Sequence, residues 1–200
     1  SSTVEYSTDG QSVHIVYSDA TQGWIPTTDE AVADVPFKGN DNGIFAYGFD
    51  SSTTNVSMSN IVSSSGVIAT DVTGVGTARR ELAACGYGED KGIFGYGLTG
   101  SSVSLTNLVS SSGVVATDVT GVGTVRAYLS ATEYGGDKGI FGFGDPGNLS
   151  MTNLVSSSGV VATDTTGVGT GRADLAACGY DKDKAIFAYG NSGSATAVSN

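Results

Sequence analysis

The chain has 200 residues and a net charge of −11, and its nine lysines and arginines do not cluster beyond the pair Arg79–Arg80. Because a grip on phosphates requires clustered basic side chains, this composition excludes nucleic acid as the main partner and disfavours an anionic membrane surface. Charged residues make up only 14% of the chain, against roughly 25% in ordinary soluble proteins. No apolar run approaches the roughly 18 residues that a membrane span requires, so we expect no membrane insertion.

Residues 1–39 differ from the rest of the chain and are interpreted as an N-terminal strand and attachment segment. The first residues, Ser1–Tyr6, lack the basic and apolar regions of a signal peptide. Residues 13–17 predict a strand that includes His14, the only histidine, which cannot found a zinc site without a second His or a Cys. Trp24, the only tryptophan, is expected to pack this segment onto the remainder of the chain.

Residues 40–200 repeat a unit of about 47 residues, since Phe94 and Phe141 are 47 residues apart and Phe141 and Phe187 are 46 apart. Three aligned segments read IVSSSGVIATDVTGVGT from Ile61, LVSSSGVVATDVTGVGT from Leu108 and LVSSSGVVATDTTGVGT from Leu154. A second segment recurs four times, as GIFAYG, GIFGYG, GIFGFG and AIFAYG. We predict three complete repeats and a partial fourth.

Each unit predicts four short strands and no helix, so the fold class is all-β. In the second unit the predicted strands cover residues 80–87, 91–96, 103–110 and 114–117. β-branched and apolar residues dominate these segments, and Gly, Ser, Asn and Asp separate them. Alternation places Ile93 on one face of the second strand and Phe94 and Tyr96 on the other.

Four antiparallel strands in a unit of this length are typical of a propeller blade. The order of an arginine, small apolar residues, an aromatic strand ending in glycine and two further strands resembles a kelch repeat, over about Asn40 to Gly190. This resemblance implies a kelch-like β-propeller, although the chain has Gly-Tyr-Gly where kelch repeats have Gly-Gly and lacks their late tryptophan. An open stack of β repeats is the alternative.

Longer strings carry a second resemblance. YGGDKGIFGFG from Tyr134, NLVSSSGVVATDVTGVGT from Asn107 and SVHIVYSDATQGWIP from Ser12 resemble virion structural and tail-fibre proteins of marine bacteriophages, cyanophages among them. The resemblance implies an extracellular, virion-associated scaffold for host-surface recognition, with a glycan as ligand and other virion proteins or copies of itself as partners. The competing interpretation is a bacterial extracellular filament-forming or carbohydrate-binding protein.

The last unit stops at Asn200, which aligns with Asn107 and Asn153. A partial blade leaves an unpaired strand edge, which is a pairing hazard. Residues 13–17 can complete this blade and close a ring, the chain can continue, or a neighbouring subunit can supply the missing strands. The first of these is our preferred hypothesis.

A catalytic centre is asymmetric, so residues present in every unit are expected to hold the structure. Asp71, Asp118 and Asp164 are predicted to cap turns rather than to bind calcium. The Asp–Lys pairs at 90–91, 137–138 and 183–184 are predicted to be exposed ion pairs of little energetic weight. The repeated arginines, Arg79 or Arg80 with Arg126 and Arg172, allow two interpretations: they bond carbonyls between blades, or they form a ring that binds an anion.

Positions that break the repeat are the better candidates for ligand binding. They are Tyr128, Glu133, Asp145–Pro146 and the loop Phe49–Asn55, and the predicted ligand-binding set is completed by Arg80, Arg126 and Arg172. Asn55 and Asn148 fit the glycosylation sequon. We predict no catalytic set, no metal site and no cofactor, because no non-repeating acid pair and no nucleophile elbow stand out.

Cys85 and Cys178 occupy the same position in units that are two repeats apart. A disulfide requires Cα atoms within about 7 Å, so we expect two free cysteines. Both are predicted to be small buried thiols.

Overall fold

The computed structural model describes residues 13–20, 23–29, 42–181 and 183–200. The protein is all-β, as predicted, and its described residues form twelve strands in several small antiparallel sheets, none of which closes on itself. No helix occurs among the described residues, and accordingly none of them provides a helix able to cross a bilayer. The chain divides into two compact units, residues 1–38 and residues 39–200.

The strands follow one another in chain order. Their bounds are β1 Val13–Asp19, β2 Gly23–Asp29, β3 Gly43–Phe49, β4 Asn55–Val62, β5 Ala83–Tyr87, β6 Lys91–Gly95, β7 Thr106–Val109, β8 Ser130–Tyr134, β9 Lys138–Gly144, β10 Leu149–Val155, β11 Ala176–Tyr180 and β12 Lys184–Ala188.

In the part of the chain that the structure describes, neighbouring strands pair antiparallel within five sheets. In the first unit β1 pairs with β2, so His14 and Trp24 lie in one hairpin, but their side chains are outside the described part of the chain. The second unit contains four sheets: β3–β4, β5–β6–β7, β8–β9–β10 and β11–β12. We refer to these below as the first to fourth sheets. The completion of a blade by residues 13–17 stays a prediction.

The predicted fourth strand at residues 114–117 is not formed as a strand. Val115 and Val119 each make a single bridge to β7, at Val109 and Thr106. The reason is a side chain: Asn107 Nδ2 donates to the carbonyl of Ala116 at 3.0 Å and replaces a backbone donor there. The third sheet has the same arrangement, because Asn153 Nδ2 donates to Ala162 at 3.0 Å.

The core of the second unit lies between successive sheets and is largely aromatic. Rings of one sheet pack edge-on or tilted against rings of the next, with centroid distances of 5.5, 5.2 and 5.4 Å for Tyr47–Phe94, Tyr96–Phe141 and Phe143–Phe187. Ile93 and Phe94 point to opposite faces of their sheet, and both are buried because sheets cover both faces. Each interior sheet is therefore held by contacts on two sides.

Both described cysteines are free, as expected, but the prediction that both are buried is wrong for Cys178. Cys85 lies in β5, is half-buried between sheets, and burial raises the pKa of its thiol to about 12. Cys178 is exposed because it lies in β11 of the last sheet, which packs on β8 with only one face.

Candidate functional site

Arg79 is fully buried and joins four separate segments of the chain. Its Nε donates to the carbonyl of Tyr96 at 2.9 Å, and its NH2 donates to Asn107 Oδ1 at 2.6 Å. NH1 donates to the carbonyl of Thr77 at 3.1 Å. The guanidinium carbon lies 4.3 Å from the centroid of the Tyr47 ring, which belongs to the preceding sheet. One side chain thus fastens its own sheet and contacts its neighbour by a cation–π interaction.

Arg126 and Arg172 are also fully buried, and each bonds the aligned asparagine, although, among the described residues, neither Nε has a hydrogen-bond partner as Arg79 Nε does. Arg126 bonds Asn153 and lies 4.3 Å from the Tyr96 ring centroid, and Arg172 bonds Asn200 at 2.8 Å. The guanidinium of Arg172 lies 4.1 Å from the centroid of the Phe143 ring. Because these side chains have no exposed surface, the geometry favours the carbonyl-bonding interpretation of the repeated arginines over an anion-binding ring.

The repeated aspartates extend the same network. Asp118 accepts from Asn107 Nδ2 at 2.9 Å and from the Thr77 hydroxyl at 2.6 Å, and it lies 3.8 Å from Arg79 NH1. Asp164 does the same with Asn153 and Thr124. These carboxylates therefore do not cap their own turns; they accept from a threonine 41 or 40 residues earlier in the chain. Asp71 in the first sheet accepts from Asn60 alone among the described residues.

Hydrogen bonding decides the charge state of these carboxylates. Burial alone raises the pKa of Asp118 and of Asp164, but donors from threonine and asparagine outweigh it. With the nearby arginine, those donors hold each pKa below its ordinary value, since they stabilise the ionised form.

Acid is expected to destabilise the second unit through these two groups. A carboxyl whose folded-state pKa is depressed contributes stability above its unfolded pKa, near 4, and that stability is lost as pH falls through the lower folded value. We expect a constant melting temperature from neutral pH to about pH 5 and a fall below about pH 4. The Asp118→Asn/Asp164→Asn variant should show a flatter acid limb in thermal melts followed by circular dichroism. An identical acid limb in this variant and the parent would show that other carboxylates control the transition.

The three repeated Asp–Lys pairs are exposed ion pairs, as predicted. Lys91 lies 2.6 Å from Asp90, Lys138 lies 3.2 Å from Asp137, and Lys184 lies 3.2 Å from Asp183, all on the surface. Pairs of this kind contribute little to stability because water screens them.

The predicted binding residues fall at separate places. Arg80 is half-buried against Asn55 and Phe49 at the edge of the first sheet. Glu133 is exposed on β8 and lines a cavity of about 260 Å³ beside Cys85 and Gly86. The loop Phe49–Asn55 is a tight turn, in which Asp50 Oδ1 accepts from the backbone amides of residues 52 and 54.

Two symmetry-breaking residues do come together. Tyr128 and Asp145 line one cleft of about 320 Å³ between the third and fourth sheets. Asn148, Asp174 and Asn191 complete its polar wall. The sequence analysis did not single out Asp174 and Asn191. A comparison of the repeats with one another does distinguish them, because the second repeat has Glu81 and Leu98 at the aligned positions.

The two sequon asparagines differ in their surroundings. The amide of Asn55 donates to the carbonyls of Leu98 and Thr99 at 3.2 Å each and accepts from Arg80, so a glycan on Nδ2 would remove one of these two donors. Asn148 is half-buried in the cleft.

The described residues contain no group of three or more His, Cys, Asp or Glu side chains placed to hold a metal ion. No protein-family model matches the sequence, and the comparison with curated proteins likewise gives no match.

Proposed function

We propose that the chain is a non-catalytic structural and adhesive scaffold, a component of an extracellular appendage such as a phage tail fibre. The observation that carries this proposal is the use of the repeated charged residues. Arg79, Arg126 and Arg172 are fully buried, and the hydrogen bonds that they donate go to the protein's own carbonyl and amide oxygens. Side chains that recur at one position of the repeat and contact only the chain itself support a role in stabilising the fold rather than in catalysis.

The scaffold is proposed to be an open row of tandem repeats rather than a closed kelch-like ring. Phe94, Phe141 and Phe187 are buried against the preceding sheet, whereas the equivalent Phe45 is 66% exposed. Tyr189, at the other end of the row, is 64% exposed, although its counterparts in the first three sheets are buried. A ring would bring these two ends together and bury both rings.

Surface composition supports an adhesive role. Exposed segments are rich in serine and threonine, such as residues 63–65, 110–112 and 156–158, and the net charge of −11 opposes non-specific binding to other anions. The proposed recognition target on a host surface is a glycan, whose hydroxyl groups pair with neutral polar side chains.

A self-assembling filament is the second candidate, and the exposed ends of the row favour it. At three places in the molecule, an aromatic ring of one sheet packs against a phenylalanine of the next sheet. Tyr189 is the equivalent ring of the last sheet and Phe45 the equivalent phenylalanine of the first, and both are exposed. A second copy can therefore repeat this contact. We prefer the scaffold to the filament because each contact between sheets within the chain also includes a buried arginine over the aromatic ring. The described residues of the first sheet provide no such arginine beside Phe45.

One experiment separates the two candidates. We expect the purified, fluorescently labelled chain to remain monomeric in light scattering and to bind a subset of immobilised bacterial surface polysaccharides saturably. Concentration-dependent filaments that disappear in Phe45→Ser and Tyr189→Ser but persist in the control Phe49→Ser would replace the scaffold by the filament. A monomer that binds none of the polysaccharides would contradict the adhesive role.

A further inference from the structure

At the edge between the first and second sheets, the side chain of Arg80 shows how such an edge binds a cation. Arg80 lies at the start of the second repeat, and its side chain packs against the first sheet, where NH1 donates to Asn55 Oδ1 at 2.8 Å. Its guanidinium carbon lies 4.6 Å from the centroid of the Phe49 ring. An amide oxygen and an aromatic face thus receive a guanidinium at this edge.

The cleft between the third and fourth sheets occupies the aligned place. Asn148 aligns with Asn55, Asp145 with Phe49, and Ala173 with Arg80. The backbone confirms the correspondence, because the amides of Gly48 and Gly144 donate to the carbonyls of Arg79 and Arg172, each at 2.9 Å. Asn148, Asp145 and Ala173 all line the cleft. The cleft therefore has an asparagine in common with the first sheet. It has the methyl group of Ala173 in place of the Arg80 side chain, and the carboxylate of Asp145 in place of the Phe49 ring.

Acceptor groups in the cleft are left with capacity for a donor. Asp145 Oδ1 accepts from the amides of Gly147 at 2.7 Å and Asn148 at 3.4 Å, while its Oδ2 has no donor among the described residues. Asn191 Oδ1 accepts from the amide of Gly193 at 2.9 Å. The exposed carboxylate of Asp174 likewise has no ion pair within the described part of the chain. Tyr128 is its neighbour, since the Asp174 amide donates to the Tyr128 carbonyl at 3.0 Å, and this half-buried residue lines the same cleft.

We propose that this cleft binds the guanidinium group of an arginine side chain presented by a partner protein. A guanidinium is planar and carries five N–H donors that match carboxylate and amide oxygens, and it stacks on aromatic rings. Two carboxylates, two amides and a tyrosine supply these partners here. Charge-assisted hydrogen bonds to the carboxylates make the cation preferable to a neutral group of the same shape.

The test is a titration of the full chain followed by NMR or calorimetry, with N-acetyl-arginine amide as the probe. We expect saturable binding that is about tenfold weaker for the uncharged isostere N-acetyl-citrulline amide. Asp145→Asn should weaken binding by about tenfold. Ala173→Arg should fill the cleft from within, as Arg80 does, and abolish binding. Asp90→Asn, which removes an exposed carboxylate elsewhere, should leave binding unchanged.

Equal binding of the arginine and citrulline probes, or parental affinity in both Asp145→Asn and Asp90→Asn, would overturn the proposal. Should Ala173→Arg fail to fold, Asp145→Asn with an unchanged melting temperature carries the test alone. A Gly-Arg-Gly peptide that binds more tightly than free arginine supports a protein partner. Tighter binding of free arginine than of the peptide would indicate that the cleft binds the free amino acid, and would overturn the proposal of a protein partner.

Discussion

Arg126→Ala is expected to destabilise the second unit by about 3 kcal/mol, because the change removes one partner from a buried, charge-assisted network. In a chain of this size that corresponds to a fall in melting temperature of about 6 to 12 °C. Asn153 Oδ1 loses the donor NH2, the carbonyl of Thr124 loses the donor NH1, and the Tyr96 ring loses the cation that lies over it. Thermal unfolding followed by circular dichroism measures the change.

Arg80→Ala is the matched control for this variant. It removes the same side chain from the surface edge, where Arg80 has one hydrogen bond and one ring contact and is half-buried. We expect a loss below about 1 kcal/mol, as is usual for exposed interactions of charged side chains. Equal losses in the two variants would contradict the structural role assigned to the buried arginines.

Gly121→Ala is expected to be similarly damaging, for a steric reason. A Cβ at this position would lie 2.0 Å from Ser104 Oγ and 2.5 Å from both the carbonyl carbon and the carbonyl oxygen of Ser104. Backbone atoms cannot turn aside as a flexible side chain can, so residues 104 and 121 must separate. We expect a destabilisation of about 3 kcal/mol, at the upper end of overpacking costs, measured as the shift of the chemical denaturation midpoint.

Gly100→Ala isolates this clash. Apart from Gly100 itself and its two chain neighbours, no heavy atom lies within 4 Å of the position that its Cβ would take, and both substitutions restrict the unfolded chain equally. The control should therefore be neutral or slightly stabilising. A tolerated Gly121→Ala would contradict the close approach of these two segments.

Local patterns were sufficient to predict the second strand of each unit. In GIFGYG, glycines and apolar residues indicate the strand, and the predicted 91–96 differs from β6 by one residue. The prediction that Tyr96 shares a face with Phe94 is wrong, because the backbone of Tyr96 has a φ of 64° and its ring packs with Ile93 and Phe141. The fourth strand was predicted from equally good β-branched residues, but the side chain of Asn107 takes the carbonyl of Ala116. No local pattern reports that competition.

Pairwise partners across long distances could not be predicted. The period identifies Arg79, Asn107 and Asp118 as repeated residues, yet nothing in it says that the three meet, or that Asp118 caps Thr77. Only the burial of the three arginines distinguishes the two interpretations of their role. Tyr128 and Asp145 emerged because they break the repeat, and their meeting in one cleft depends on how the third and fourth sheets pack.

Cryo-electron microscopy of the native appendage or particle that carries this chain, at side-chain resolution, tests the central claim most directly. The account predicts an open row of sheets on the exterior, with Arg79, Arg126 and Arg172 each enclosed against the aromatic ring of the preceding sheet. A closed ring in which Phe45 packs against Tyr189, or arginines that line an open surface around a bound anion, would contradict it.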